Sequence, residues 1–231
     1  MPIQHIITDI EGTTTDIAFV HKVLFPYATQ HLPNFIAAHA NSPEVRAQLE
    51  AVSKETGRPL SDSEAVSQLL RWIEEDKKIG PLKALQGMIW AQGYRQGELE
   101  GHVYDDAAKL LQQWHSQGVK LYVYSSGSVK AQQLIYGHSN HGDLTPLFSG
   151  YFDTRIGHKR ETSSYEIIRD ALGGDASTQL FLSDITEELD AAAAAGMHTA
   201  LLVRGDSEVS NSQHSPHADF SSVDTMLNQL T

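Results

Sequence analysis

Short apolar runs that end in polar residues recur along this 231-residue chain, and they constrain its fold more than any other feature. Such β-branched runs indicate strands buried on both faces of a parallel sheet. We predict strands at 3–8, 120–124, 179–182 and 198–203, with a weaker candidate at 152–156. Helical apolar spacing follows at 104–114, 164–172, 189–195 and 222–230. This alternation predicts an α/β fold, a doubly wound, Rossmann-like parallel sheet with right-handed crossovers.

Residues 19–98 interrupt this alternation, because their apolar spacing is helical throughout. Four helices are predicted there, at 20–38, 43–52, 61–77 and 81–94. Ser61 and Glu64 have the spacing of a capping box, which marks a helix start. We therefore predict a helical domain, 19–98, inserted into an α/β core formed by 1–18 and 99–231.

The chain carries a formal net charge of −12 and has no cysteine. An acidic protein of this size repels polyanions, so we expect no nucleic-acid partner. Without thiols there is no disulfide framework and no thiolate nucleophile, which fits a reducing cytoplasm. The sequence shows no apolar run of roughly 18 residues and no signal-peptide pattern. We expect a cytoplasmic monomer that does not bind a membrane.

The first predicted strand leads directly into two carboxylates, Asp9 and Glu11. Ligands of open parallel sheets bind beyond the carboxyl ends of the strands, so both side chains face a candidate site. One carboxylate can attack a phosphate and form an acyl phosphate, while the other acts as general acid and base. Attack on a phosphate dianion needs a cation, which Mg²⁺ supplies by bridging carboxylate and phosphate oxygens. The alternative is a pair of exposed loop acids.

The second predicted strand is followed by Ser125, Ser126 and Gly127. Hydroxyl groups and the free N–H groups of a helix start form a cradle for phosphate. The alternative is a helix N-cap with no binding role, which Ser128 could provide alone.

Three more charged residues complete the candidate set. Lys159 supplies the cation that a phosphoryl-transfer site needs, although most loop lysines are solvated surface. Asp184 follows a predicted strand, where it can reach a metal ion, and Glu188 can orient Lys159 or a metal-bound water. The alternative is that Glu187 and Glu188 only form an acidic helix N-terminus favoured by the helix dipole.

The polar segment 205–217 contains two histidines, His214 and His217. Their spacing matches no metal-ligand pattern, so we predict a solvated loop.

Taken in order, the acidic, hydroxyl, lysine and second acidic motifs resemble those of haloacid dehalogenase-like phosphatases, with a helical cap inserted after the first motif. Glu11 stands where most of those phosphatases have aspartate. Within that superfamily the chain resembles the enolase-phosphatases of methionine salvage. The matching segments are Asp-Ile-Glu-Gly-Thr-Thr at 9–14, Phe-Val at 19–20, Leu-Phe-Pro-Tyr at 24–27, Tyr-Ser-Ser-Gly-Ser at 124–128 and Gly-His-Lys at 157–159.

This resemblance implies a substrate, 2,3-diketo-5-methylthiopentyl 1-phosphate, that is first enolised and then dephosphorylated to an acireductone. It implies that Asp9 is the nucleophile and that one Mg²⁺ is held by Asp9, Asp184 and Glu11, the last through its backbone carbonyl. It gives Glu11 the acid/base chemistry. The sequence does not identify the base for the enolisation, and Glu11 is a candidate only because it is one methylene longer than the usual aspartate. Ser125, Ser126 and Gly127 would hold the phosphate or the enolate, and Lys159 would neutralise the transferring phosphoryl group.

Three alternatives remain open at the level of sequence. The chain could be a haloacid dehalogenase-type phosphatase for another small metabolite, such as a sugar phosphate. It could be a dehalogenase, which needs neither magnesium nor a second acid. It could also be a non-catalytic α/β module that takes up one phosphoryl group on Asp9 and stops there.

Overall fold

The computed structural model describes residues 2–173, 175–205 and 212–229. Its centre is a six-stranded parallel sheet with the strand order β3-β2-β1-β4-β5-β6. The strands are β1 His5–Thr8, β2 Lys120–Tyr124, β3 Phe148–Phe152, β4 Gln179–Ser183, β5 His198–Leu202 and β6 Pro216–His217. The predicted α/β fold with a parallel sheet is therefore confirmed.

The helices fall into two groups along the chain. The first group is α1 Ile17–Phe19, a π-helical turn Val20–Leu24, α2 Phe25–His39, α3 Pro43–Thr56, α4 Asp62–Glu74 and α5 Gly80–Gln96. The second group is α6 Asp105–Ser116, α7 Val129–Gly137, α8 Thr162–Leu172, α9 Thr186–Ala194 and α10 Phe220–Leu227. Short 3-10 turns at Thr145–Leu147 and Ala176–Thr178 precede β3 and β4.

The chain separates into two compact units. One is the α/β unit, Met1–Ile17 with Glu100–Thr231, and the other is the helical unit, Ala18–Leu99. In the helical unit, α2 to α5 surround an apolar core that includes Leu32, Leu69 and Ile89. Ser61 and Glu64 form the predicted capping box at the start of α4, so each side chain bonds to the other residue's backbone N–H.

The core of the α/β unit is built on its two central strands. β1 buries Ile6 and Ile7, and β4 is buried along its whole length, as expected for strands covered on both faces. Thr8, the last residue of β1, is in register with Val123 of β2 and Leu182 of β4. The three strands consequently end at the same edge of the sheet, and the residues that follow them are neighbours.

Two predictions about the local structure of the α/β unit are wrong. The weak strand candidate at 152–156 lies four residues too late, because β3 is Phe148–Phe152 and the chain then turns at Asp153. The helical spacing at 164–172 predicts that Ile167 shares the buried face of α8 with Ile168, yet Ile167 is 48% exposed.

The prediction of a solvated loop at 205–217 is wrong for its two histidines, and 206–211 lie outside the described residues. His214 is hydrogen-bonded to the Thr199 hydroxyl at 2.7 Å and lies 3.0 Å from the Asp190 carboxylate. His217 is buried in β6, the edge strand beside β5. Both histidines therefore attach the returning chain to the sheet. The end of the predicted helix at 222–230 also falls on an undescribed residue, Leu230.

Candidate active site

The adjacent ends of β2, β1 and β4 bring three of the predicted site residues together. Asp9 directly follows β1, and its backbone N–H donates to the Leu182 carbonyl of β4 at 2.9 Å. Ser125 directly follows β2, and Asp184 directly follows β4. The carboxylate of Asp9, the hydroxyl of Ser125 and the carboxylate of Asp184 thus lie along one edge of the sheet.

Lys159 is the centre of a buried ion cluster at this edge. Its Nζ lies 2.6 Å from Asp9 Oδ1 and 2.7 Å from Glu188 Oε2, and all three residues are buried. Burial alone would lower the pKa of Lys159, but the two carboxylates outweigh it and raise the pKa above its ordinary value. Lys159 therefore stays protonated and carries a fixed positive charge beside Asp9.

Glu188 lies in the first turn of α9, where the helix dipole favours a negative charge. Its Oε2 also accepts a hydrogen bond from Ser183 Oγ at 3.0 Å. Glu187, the preceding residue, has an exposed side chain and lies 4.0 Å from Arg160. Glu188, rather than Glu187, is therefore the acidic residue of this helix that contacts the ion cluster.

Asp184 has the properties of a metal ligand. Its Oδ1 is buried and accepts no hydrogen bond from the described residues. Burial, followed by the negative charge of Asp9, raises the pKa of Asp184 to about 7. A buried carboxylate oxygen with no donor, close to a second carboxylate, is the environment that a divalent cation stabilises.

Gly12 makes room for the Asp184 carboxylate. Its φ is +71°, and a β-carbon at this position would collide with the Asp184 side chain. A glycine is therefore required here both for its backbone conformation and for space. The sequence identified Gly12 only as part of a motif. It did not reveal that a larger residue here would collide with Asp184.

Glu11 is half-buried in the turn that follows Asp9. Within residues 2–173, 175–205 and 212–229, no three acidic or histidine side chains are grouped so as to hold a metal ion. The side chains of Asp9, Glu11 and Asp184 therefore do not form a three-carboxylate cluster.

Some polar groups of the Ser125–Gly127 segment are hydrogen-bonded to each other. Ser125 is buried, and its Oγ accepts from the backbone N–H of Gly127 at 3.1 Å. Ser126 is exposed. Ser128 caps α7 by accepting from Ala131 N at 3.3 Å, so the N-cap interpretation holds for this residue. Ser125 and Ser126 remain the hydroxyls that can face a ligand.

The turn at 10–15 is held by contacts that the sequence did not reveal. The Ile10 carbonyl accepts from the backbone N–H groups of Thr13, Thr14 and Thr15 at 3.2, 2.9 and 2.9 Å. Thr14 Oγ1 is also hydrogen-bonded to the hydroxyl of Tyr136 at 2.8 Å, and both residues are fully buried. Tyr136 is 122 positions away in the chain, so no local pattern could have paired the two.

Comparison with known proteins identifies the family of this site. The family model of haloacid dehalogenase-like hydrolases matches residues 3–196. Enolase-phosphatase E1 of Marinobacter nauticus is 56% identical over 97% of this chain and 98% of its own length. Enolase-phosphatase E1 of Pseudomonas aeruginosa is 59% identical over 88% of this chain and 91% of its own length. The chain belongs to the enolase-phosphatase family.

A solved structure shares the architecture of this chain. The UTR4 protein (Unknown transcript 4 protein) of Saccharomyces cerevisiae superposes with a TM-score of 0.82 at 33% identity, covering 95% of this chain and 99% of its own. The two proteins therefore have the same fold over nearly their whole length. In the part of the chain that the structure describes, no helix is long and apolar enough to cross a membrane.

The contact between Gly12 and Asp184 yields a test with a matched control. Gly12→Ala should lower phosphatase turnover about 100-fold, since misplacing reacting groups by an ångström costs that much. Gly57 has the same φ of +71° but open space around its α-carbon. Gly57→Ala should therefore cost about 1 kcal/mol of stability and leave turnover unchanged. Equal turnover of the two variants would show that the space beside Asp184 is not required for phosphatase activity.

The raised pKa of Asp184 predicts a pH dependence of stability in metal-free protein. Between pH 4 and pH 7 the folded state keeps this proton while the unfolded state has lost it, so the free energy of unfolding falls as pH rises. Asp184→Asn should remove the contribution of Asp184 to this slope, while that of Glu188, whose pKa burial also raises, remains. The variant should therefore unfold at higher urea concentration than wild type at pH 8, but not at pH 4. Each unit of pKa shift contributes roughly 1 kcal/mol.

Urea titrations in EDTA would measure this effect. Asp170→Asn, which changes an exposed carboxylate on α8, serves as the control and should leave the slope unchanged. The prediction compares the change in free energy of unfolding between pH 4 and pH 8 in the two proteins. The same change in wild type and in Asp184→Asn would contradict the raised pKa of Asp184.

Proposed function

We propose that this enolase-phosphatase converts 2,3-diketo-5-methylthiopentyl 1-phosphate to the acireductone of methionine salvage. The observation that carries the phosphatase chemistry is Lys159, whose ammonium lies 2.6 Å from a buried Asp9 carboxylate at the end of a central strand. The family membership supports the identity of the substrate.

Asp9 acts as the nucleophile in this proposal. Its carboxylate oxygen attacks phosphorus, so that an Asp9–phosphorus bond forms as the bond to the substrate's ester oxygen breaks. The leaving oxygen takes a proton from Glu11. Glu11 then accepts a proton from water, whose oxygen displaces the aspartyl group, releasing phosphate and restoring Asp9.

Lys159 has two effects on this attack. Its charge compensates the negative charge of the phosphoryl group, which would otherwise repel the carboxylate of Asp9. Glu188 fixes the ammonium from the other side at 2.7 Å, so the cation is in place before substrate binds. Ser125 and Ser126 would contribute hydroxyls, and Gly127 its backbone, to phosphate or enolate binding.

We propose that the cofactor is one Mg²⁺ held by the carboxylates of Asp9 and Asp184 and by the backbone carbonyl of Glu11. When bound, the ion neutralises phosphate charge and can stabilise an enolate oxygen. The buried oxygen of Asp184 that has no hydrogen-bond donor supports this assignment. Glu11 is proposed as the enolisation base, since it is one methylene longer than the aspartate usual at this position.

The helical unit, Ala18–Leu99, is proposed to be an inserted cap domain, as in the resembling phosphatases. A cytoplasmic location is proposed because a phosphorylated metabolite does not cross a membrane unaided. A monomer is proposed because one α/β unit carries Asp9, Lys159, Asp184 and Glu188 together.

Phosphate release from a panel of substrates tests this function. The diketone phosphate should give the highest kcat/KM, ahead of sugar phosphates, and EDTA should abolish release. Asp9→Asn should lower kcat by at least about 1,000-fold, because the remaining amide is a poor nucleophile. Asp170→Asn, an exposed change, should behave as wild type.

The outcomes separate the alternatives. A preference for a sugar phosphate would show a phosphatase of another specificity. A single stoichiometric phosphoryl transfer without turnover would show a phosphoacceptor module. Full activity in EDTA or in Asp9→Asn would contradict the proposed chemistry itself.

A further inference from the structure

Arg204 reaches from the sheet to the turn that follows the candidate nucleophile, Asp9. It lies two residues beyond the end of β5, and its side chain is 14% exposed. Its Nε and Nη2 donate to the backbone carbonyl of Thr13 at 3.1 and 2.8 Å. Two donors of one guanidinium thus converge on a single carbonyl, four residues after Asp9.

The rest of the guanidinium is also held. Its Nη1 donates to Asp106 Oδ2 at 2.8 Å, and its Cζ lies over the Tyr104 ring, 4.1 Å from the ring centroid. Asp106 Oδ2 in addition accepts from the backbone N–H of Phe220 at 2.8 Å. Arg204 is therefore fixed by the starts of α6 and α10, two helices that contribute none of the candidate site residues.

This arrangement needs the shape of arginine. Three N–H groups in a rigid, planar fork contact two acceptors while one face stacks on an aromatic ring. A lysine at this position could reach one acceptor as a point charge, but it could not bridge both and could not stack through a flat group. The contact is therefore specific for geometry, not only for charge.

The carbonyl that Arg204 holds belongs to the turn at 10–15. The backbone N–H groups of Thr13, Thr14 and Thr15 all donate to the Ile10 carbonyl within this turn, and Gly12 N donates to the Thr15 carbonyl at 2.8 Å. Gly12 in turn contacts Asp184 so closely that no β-carbon fits. A shift of Thr13 would consequently move the backbone beside Asp184 and the segment that carries Glu11.

We propose that Arg204 is a positioning residue for catalysis. By fixing the Thr13 carbonyl, it sets where the turn places Glu11 and where Gly12 meets Asp184. Arg204 contacts the Thr13 carbonyl, Asp106 and Tyr104, so it acts on turnover through the backbone of the turn. This inference rests on the proposed function, because it assigns Arg204 to the same reaction.

The test compares two variants of Arg204 that differ in charge. Arg204→Lys keeps the positive charge, and Arg204→Gln removes it. Neither side chain has the planar guanidinium that donates to both Thr13 and Asp106. Both should lower kcat for phosphate release by about tenfold to 100-fold, the range expected for reacting groups displaced by up to an ångström. KM should change less than threefold, because the proposed phosphate contacts of Ser125 and Lys159 are left in place.

Arg169→Lys is the matched control. Arg169 also donates to a backbone carbonyl, that of Ala195 at 3.3 Å, and to a carboxylate, that of Asp170 at 2.9 Å. Its contacts lie on α8 and α9, away from the turn at 10–15. This variant should lose thermal stability without losing turnover, which is the pattern of a purely structural arginine.

Asp106→Asn is a milder second variant, since an amide oxygen can still accept from Phe220 N while the charged partner of Arg204 is lost. It should lower kcat about threefold to tenfold. If the Arg204 variants do not fold, this variant tests whether the contacts of Arg204 affect turnover. Kinetics should be measured at 20 °C, with folding checked by circular dichroism.

Each result is decisive for Arg204. Folded Arg204 variants that turn over within twofold of wild type would overturn the proposal, as would full rescue by Arg204→Lys, which would show a role for charge alone. If the Arg204 variants do not fold, wild-type kcat in Asp106→Asn would overturn it too. Failure of wild type itself to release phosphate would instead refute the proposed function, and the two failures are thereby distinguished.

Discussion

The buried contact of Lys159 with Asp9 and Glu188 is the interaction on which the rest of this site depends. One cation lies between two carboxylates that are each less than a tenth exposed, so the cluster carries a net charge of about −1 out of water. Burying ions is expensive unless they are paired and hydrogen-bonded, and replacing such clusters with apolar residues often stabilises a protein. The cluster is therefore explained by chemistry and not by stability. The same excess of negative charge, together with Asp184, makes a divalent cation favourable there.

The fold meets this requirement by bringing distant segments to one edge. Asp9 comes from the end of the first strand, Lys159 from a loop after the third, and Glu188 from the helix after the fourth. The strand order places β1 between β2 and β4, so Asp9 is central and Ser125 and Asp184 lie on either side of it. A parallel sheet covered on both faces is rigid, which keeps these charges in register without a ligand. Hydrogen bonds from Ser183 and the dipole of α9 then fix Glu188 in turn.

Much of this could be predicted from the sequence, because the signals are local. A buried strand reads as a continuous apolar run, and the polar residue that follows it marks the strand end, so Asp9, Ser125 and Asp184 could each be found without a structure. The predicted family was confirmed by close relatives. The weak signal of β3 failed for a physical reason. Its sequence, Phe-Ser-Gly-Tyr-Phe, has a glycine and a serine in place of β-branched residues, and three of its five residues are only half-buried.

The contacts that the sequence could not supply are those made across the fold. Tyr136 and Arg204 both hold the turn after Asp9, and they lie more than 120 residues beyond it. Neither belongs to a motif, since a tyrosine in a helix and an arginine after a strand are ordinary surface or core residues until their partners are known. For Ile167 and His214 the local pattern gives the wrong environment. Ile167 is apolar but exposed, and His214 lies in a polar segment but is hydrogen-bonded to Thr199 of β5. Sequence therefore identified the candidate reacting groups more readily than the residues that contact the turn beside them.

The central claim, attack by the Asp9 carboxylate, can be tested by trapping the acyl phosphate. Enzyme mixed with substrate and magnesium for a few milliseconds would be quenched and reduced with borohydride, which converts an aspartyl phosphate to homoserine. Peptide mass spectrometry should then find homoserine in place of the aspartate at position 9. The homoserine should be absent when substrate is omitted, and absent from the Lys159→Ala variant. Reduction at another carboxylate, or rapid phosphate release with no trapped residue at position 9, would contradict the account.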